Sequence, residues 1–312
     1  MRIICKSICE PEQLKATSEI CEFVELQLYH EFDNGINDDI IDKVFKDCVA
    51  NLGTAKVVTV HGPIGKVTAS IEHATSEKYY PLLEGTVKLA KKFSDFYNER
   101  VGVVLHNEIS SRYIDWFDFI YQGIKYVVNI LTRTYPMLDI YVENVVPFRY
   151  DTQANMFDYH PNGIFDDNVK LVERLNKDVQ GCNVYTLLDT AHAMISINAE
   201  RRMFYNQDVN LPMYNIRDYM ERYKDTIKYM HLADGIELGL KKGQHGVAFT
   251  QDRHYVLEFI MNVYKELGYN NDICLEVVED DYIKRANFKD DFEDVYNICK
   301  KLDIQVENKI TS

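Results

Sequence analysis

Eight short, β-rich apolar runs recur along the 312 residues, each followed by a stretch long enough for a helix. They cover 2–8 (RIICKSI), 22–29 (EFVELQLY), 56–61 (KVVTVH), 101–106 (VGVVLH), 138–144 (LDIYVEN), 183–189 (NVYTLLD), 227–231 (IKYMH) and 272–277 (DICLEV). Near-continuous apolarity implies burial on both faces, the condition of a parallel strand covered by helices. Amphipathic helices are expected between them, among them 77–99 and 253–268, with a last helix over 289–302. Eight strand–helix repeats predict an α/β chain closed into a (β/α)8 TIM barrel. An open doubly wound sheet usually has a glycine-rich phosphate turn after its first strand, whereas the first turn here reads CEPEQ, without GxGxxG. No low-complexity linker divides the chain. A single barrel domain is expected over 1–305, with a polar tail at 306–312.

Two connections exceed what a minimal barrel needs, 146–163 and 195–215. Loops of this length in a barrel ordinarily lie over the C-terminal face, so both are candidate lids. Composition narrows the function classes. No segment reaches the ~18 consecutive apolar residues of a membrane span, and the first residues read as a strand rather than a signal peptide. A cytoplasmic protein is expected. Seven cysteines, at 5, 9, 21, 48, 182, 274 and 299, form no CxxC pair, which fits free thiols in a reducing compartment. The net charge of −14, with no Lys/Arg run longer than two, disfavours a nucleic-acid partner.

The strand ends carry the chemistry. In a barrel, the C-terminal ends of all strands converge on one mouth, whatever their separation in sequence. The third run ends at His61, the fourth at His106, the fifth at Glu143 and the sixth at Asp189, with His192 just beyond; the seventh ends at His231 and the eighth at Glu276. A lone histidine at a strand end is ordinarily just a hydrogen-bonded residue. Six such ends in one mouth would repel one another without a cation, because unpaired buried charge is costly. Imidazole and carboxylate donors suit borderline divalent ions. In LLDTAHAM, Asp189 ends a strand and His192 follows one helical turn later, so both reach the same mouth.

This pattern resembles the xylose isomerase-like barrel superfamily, which includes sugar and sugar-phosphate isomerases and epimerases, related dehydratases, and apurinic endonucleases of the endonuclease IV type. The likeness runs from VHGP at 60–63 to LEVVE at 275–279. LDTAHA at 188–193 is similar to the family's Asp-Thr-x-His-Ala turn, HLADG at 231–235 to its His-x-x-Asp, and GYNNDICLEV at 268–277 to the approach to its eighth strand. The resemblance to the isomerase and epimerase members implies one divalent metal on Glu143, Asp189, His231 and Glu276, with the two glutamates doubling as acid and base. Zn or Mn is the expected ion, with Co, Mg or Fe as alternatives. His61, His106 and His192 resemble the endonuclease branch, where further metals bind. That branch has an Asp-x-His after the seventh strand; here His245 matches the histidine, but Gly243 stands in the aspartate's place. His254, in the literal Asp-x-His of DRH, is the less favoured alternative because it falls at the expected start of a helix.

Two functions follow. The first is a metal-dependent isomerase or epimerase of a small sugar, sugar phosphate or polyol ketone, with Glu143 and Glu276 moving the proton and His192 and Arg149 orienting substrate oxygens. The second is a metal-dependent phosphodiesterase of the apurinic endonuclease type, which the histidines favour and the acidic charge opposes. Barrels of this kind often pair, so a homodimer is a further expectation.

Overall fold

The computed structural model describes residues 1–32, 35–64, 71, 77, 80–107, 117–145, 148–151, 156–159, 165–205, 213–237, 243–249 and 253–308. In chain order the elements are β1 (Ile3–Ile8), α1 (Pro11–Ile20), β2 (Phe23–Gln27), α2 (Asp38–Asn51), β3 (Lys56–His61), α3 (Tyr80–Tyr97) and β4 (Val101–His106). Next come α4 (Phe117–Thr134), β5 (Leu138–Glu143), β6 (Phe148–Asp151), β7 (Met156–Tyr159), α5 (Phe165–Asp178), β8 (Val184–Asp189) and α6 (Thr190–Tyr205). The last are α7 (Met213–Arg222), β9 (Ile227–Leu232), β10 (Asp234–Glu237), β11 (Gly243–Val247), α8 (His254–Glu266), β12 (Asp272–Leu275) and α9 (Ala286–Lys301).

Eight parallel strands close into a barrel in the order β1-β12-β9-β8-β5-β4-β3-β2. Closure is made at β1, which pairs with β12 (Ile3↔Ile273) on one side and with β2 (Cys5↔Val24) on the other. Every expected strand run therefore forms a barrel strand, although the eighth ends at Leu275 and leaves Glu276 just beyond it. Inside, Ile4, Val58, Val104, Leu187, Tyr229 and Cys274 pack into one buried layer. Outside, two larger apolar clusters fill the space between barrel and helices. The helices form for local reasons as well. In α2, Asn37 caps the first turn by accepting the Ile40 N–H, beside Asp38 and Asp39, and Ile41, Val44 and Cys48 bury one stripe.

Three expectations change. The connection 146–163 holds an antiparallel hairpin, β6 with β7, in which Phe148 and Tyr150 pair with Tyr159 and Phe157. The connection 195–215 is largely helical, because α6 runs on to Tyr205 and α7 begins at Met213. Its residues (ISINAERRMFY) mix good helix formers (Ala, Glu, Arg, Met) with weaker ones and lack an apolar stripe that would mark a helix. The polar tail is docked as far as residue 308. The Asn308 amide donates to Ile3 O and accepts from Ile3 N–H, both at 2.8 Å, completing the β1 backbone where no strand reaches it. Among the described residues, no helix is long and apolar enough to cross a membrane. All seven cysteines are free thiols.

Candidate metal centre

The period of two along a strand sets which residues reach the mouth. Val104, Leu187, Tyr229 and Cys274 point into the barrel, so His106, Asp189, His231 and Glu276, two residues on, point the same way one step higher. There the barrel brings Glu143, Asp189, His231 and Glu276 together: each offers a ligand atom, and these atoms all lie within 4.8 Å of one another. His231 is fully buried at their centre. Its Nδ1 is 2.7 Å from Glu276 Oε2, 3.5 Å from Glu143 Oε1 and 3.8 Å from Asp189 Oδ2. Yet Nδ1 makes no hydrogen bond to any of them. A buried nitrogen surrounded by three carboxylates, none aligned to take its proton, suits a divalent cation between them. One imidazole with three carboxylates matches Zn, Mn or Co. The residues fit a metal.

Asp189 uses its two oxygens differently. Oδ1 accepts the His192 N–H at 2.6 Å and so caps α6, while Oδ2 faces His231. Asn144 clamps the same turn. It accepts the Asp189 N–H (2.8 Å), donates to Asp189 O (3.1 Å), and its carbonyl takes the His192 Nδ1–H at 2.9 Å. The Asp-Thr-x-His spacing is thus a helix start whose cap is also a donor. Gly235 permits the close approach of α6: a Cβ there would meet Ala191 O at 2.6 Å.

Glu143 also divides its oxygens. Oε1 faces His231 and His192 (3.3 Å), and Oε2 faces His61 Nε2 (3.1 Å) and His106 Nε2 (3.6 Å). His61, His106 and Glu143 form a second set of donors able to hold an ion, sharing Glu143 with the first. The His61 Nδ1–H donates to Gly62 O at 2.9 Å, which fixes Nε2 as the nitrogen turned to the site. Burial alone would raise the Glu143 pKa; the charges of His231 and His106, with the His192 contact, outweigh it and hold the carboxyl well below its usual range. Burial would lower the His192 pKa, but Asp189 and Glu143 push it up to about 9.

Two members of the mouth escaped the strand-end reading. Lys6 on β1 places Nζ 2.7 Å from Glu276 Oε2 and 3.4 Å from Glu25 Oε1. Glu25 on β2 is wholly buried and meets His231 Nε2 at 3.1 Å. Their signal was again the period of two, since Ile4 precedes Lys6 and Phe23 precedes Glu25. Of the expected residues, His61, His106, Glu143, Asp189, His192, His231 and Glu276 converge. His254 does not: it opens α8 and lies 3.6 Å from Asp294 on α9. Asp234, of the His-x-x-Asp, is taken up by a two-pronged pair with Arg253. The side chains of Arg149 on β6 and His245 on β11 lie outside the described residues. Beside Glu276 a cavity of about 550 Å³ opens, lined by Lys6, Gln13, Gln27, Tyr29, Tyr282 and Arg285 among others. That volume suits a small ligand.

No protein-family model matches the chain, and no curated protein matches its sequence. Solved structures do match. A xylose isomerase domain protein from Alicyclobacillus acidocaldarius is 12% identical over 96% of this chain and 99% of its own, with a TM-score of 0.61. A D-tagatose 3-epimerase-like protein is 14% identical over 97% of this chain and all of its own, with a TM-score of 0.56. The IOLI protein, solved with a bound zinc atom, is 13% identical over 97% and 98%, with a TM-score of 0.54. The likeness spans the whole barrel. It shows the fold, a closed (β/α)8 barrel.

Proposed function

We propose that the chain is a divalent-metal-dependent isomerase or epimerase of a small polyhydroxy carbonyl compound, a sugar or sugar phosphate. The observation that carries this reading is the pair Glu143 and Glu276, both turned on His231 Nδ1 within one cluster of donors. Glu143, Asp189, His231 and Glu276 would hold the ion. The bound metal would polarise a carbonyl and neighbouring hydroxyl and stabilise the negative charge that develops on proton loss. Glu143, held ionised, is suited to removing a proton from the carbon beside the carbonyl, and Glu276 to returning one. Return to the neighbouring carbon isomerises; return to the other face of the same carbon epimerises. His192, anchored on the Asn144 carbonyl, stands at the rim to orient a substrate oxygen. The neighbours named as epimerase and xylose isomerase domain proteins support this reading, and the zinc-bearing neighbour supports a metal.

The test is exchange in heavy water. Metal-loaded protein is incubated with a panel of ketoses, aldoses and their phosphates, and deuterium at the carbon beside the carbonyl is followed by NMR. Exchange with at least one member, abolished by Glu143→Gln, is the expected result; none with any member sinks the proposal. The second donor set, His61, His106 and Glu143, favours one alternative, a phosphodiesterase with two metals. Two or more zinc ions per chain by elemental analysis, with cleavage of abasic-site DNA that His61→Ala removes, would replace the first reading with this one.

A further inference from the structure

His231 stands between two sets of donors. Above it, on the Nδ1 edge, lie Glu143, Asp189 and Glu276. Below it, on the Nε2 edge, lie Glu25 and Cys274, and Glu25, His231 and Cys274 are also close enough to hold an ion. The two edges cannot play the same part. A neutral imidazole carries one N–H and one lone pair, so whichever edge binds the ion, the other gives up a proton to an acceptor.

The lower side is already occupied by proton donors. Glu25 Oε2 takes the Tyr229 hydroxyl at 2.8 Å and His231 Nε2 at 3.1 Å, and Lys6 Nζ stands 3.4 Å from Oε1. Thr59 Oγ1, 3.1 Å from the Tyr229 oxygen, extends the chain of hydroxyls. A divalent ion placed there would have to displace the Tyr229 and His231 protons that Glu25 accepts. The Cys274 thiol faces Leu275 O at 3.8 Å. The upper side offers three carboxylates and a nitrogen without a hydrogen bond.

We infer that Glu25 is a positioning residue of the metal centre: by accepting the Nε2–H of His231 it turns the Nδ1 lone pair upward to the ion, an inference that rests on the metal reading above. Carboxylate, histidine and metal in line is an arrangement that fixes both ring orientation and tautomer. Lys6 and Tyr229 complete it by holding Glu25 in place, which a buried carboxylate requires.

The test uses zinc alone, titrated against a chromophoric chelator into metal-stripped protein whose fold is followed by circular dichroism. Glu25→Gln, with native secondary structure, is expected to bind zinc about 10- to 100-fold more weakly than the unmodified chain. In zinc-loaded protein with 15N-labelled histidine, the His231 Nε2 is expected to carry the proton and Nδ1 to lack it. Should Glu25→Gln not fold, Tyr229→Phe withdraws only the phenol that holds Glu25, and a few-fold loss of affinity is expected. Unchanged zinc affinity in the folded variant overturns the inference. So does a cobalt-loaded protein with a thiolate charge-transfer band that Cys274→Ser removes, which would put the ion below. An unmodified chain that binds no zinc overturns the metal reading itself, and this inference with it.

Discussion

Asn144 shows how much one residue beside the strand ends can govern. It makes three hydrogen bonds to the turn that carries Asp189 and His192, the two to Asp189 buried. Asn144→Ala removes the side-chain amide that both the Asp189 N–H and carbonyl meet, and is expected to cost about 1–3 kcal/mol by urea unfolding. Glu143→Gln is expected to retain the fold but lower bound metal in elemental analysis and turnover by about 10²- to 10⁴-fold. At this scale the sequence was readable where a run of apolar residues stopped at an ionisable one. Lys6 and Glu25 stand inside their runs, where a charged residue reads as a break in the strand. Asn144 was hidden differently: an asparagine after a strand signals only a turn, and its partners, 45 residues away at Asp189, meet it only through barrel closure.

At the scale of elements, α9 and the segment before α8 meet at Asp291. This carboxyl is buried, takes the Phe249 N–H on both oxygens at 3.1 and 3.2 Å, and faces Asp290, Asp294 and Glu279. Burial first, then these like charges, raise its pKa to about 7 against the one hydrogen bond that lowers it. Because the folded value lies above the unfolded one, its contribution to stability is complete below the unfolded pKa of 3.8 and is lost as pH rises through about 7. Urea unfolding from pH 5 to 8 should show this fall, and Asp291→Asn should flatten that part of the profile. Gly235→Ala drives a methyl into the Ala191 carbonyl and is expected to destabilise by about 1–3 kcal/mol, displacing α6 and its His192 with it. Helices with an apolar stripe were evident in the sequence to within a few residues. The later part of α6 was not, because its pattern of side chains marks no single face.

For the whole molecule, a metal that binds only the closed barrel stabilises it in proportion to its excess. Zinc at about a thousand times its dissociation constant is expected to add ~4 kcal/mol, seen as a rise in Tm that chelator reverses. The barrel itself was legible because eight repeats of one pattern admit few architectures. The docked Asn308 was not, since it depends on backbone groups of β1 left over once the barrel has closed; nor was the hairpin β6–β7, a local pairing inside a connection that read as a loop. The layer formed by Ile4, Val58, Val104, Leu187, Tyr229 and Cys274 lies directly beneath the carboxylates. It floors the site. A metal held by those carboxylates would rest on this floor, beneath any substrate. An order of arrival is then expected: the ion first in and last out. A ligand lodged above it acts as a stopper, and zinc release to excess chelator should slow when a bound sugar fills the opening.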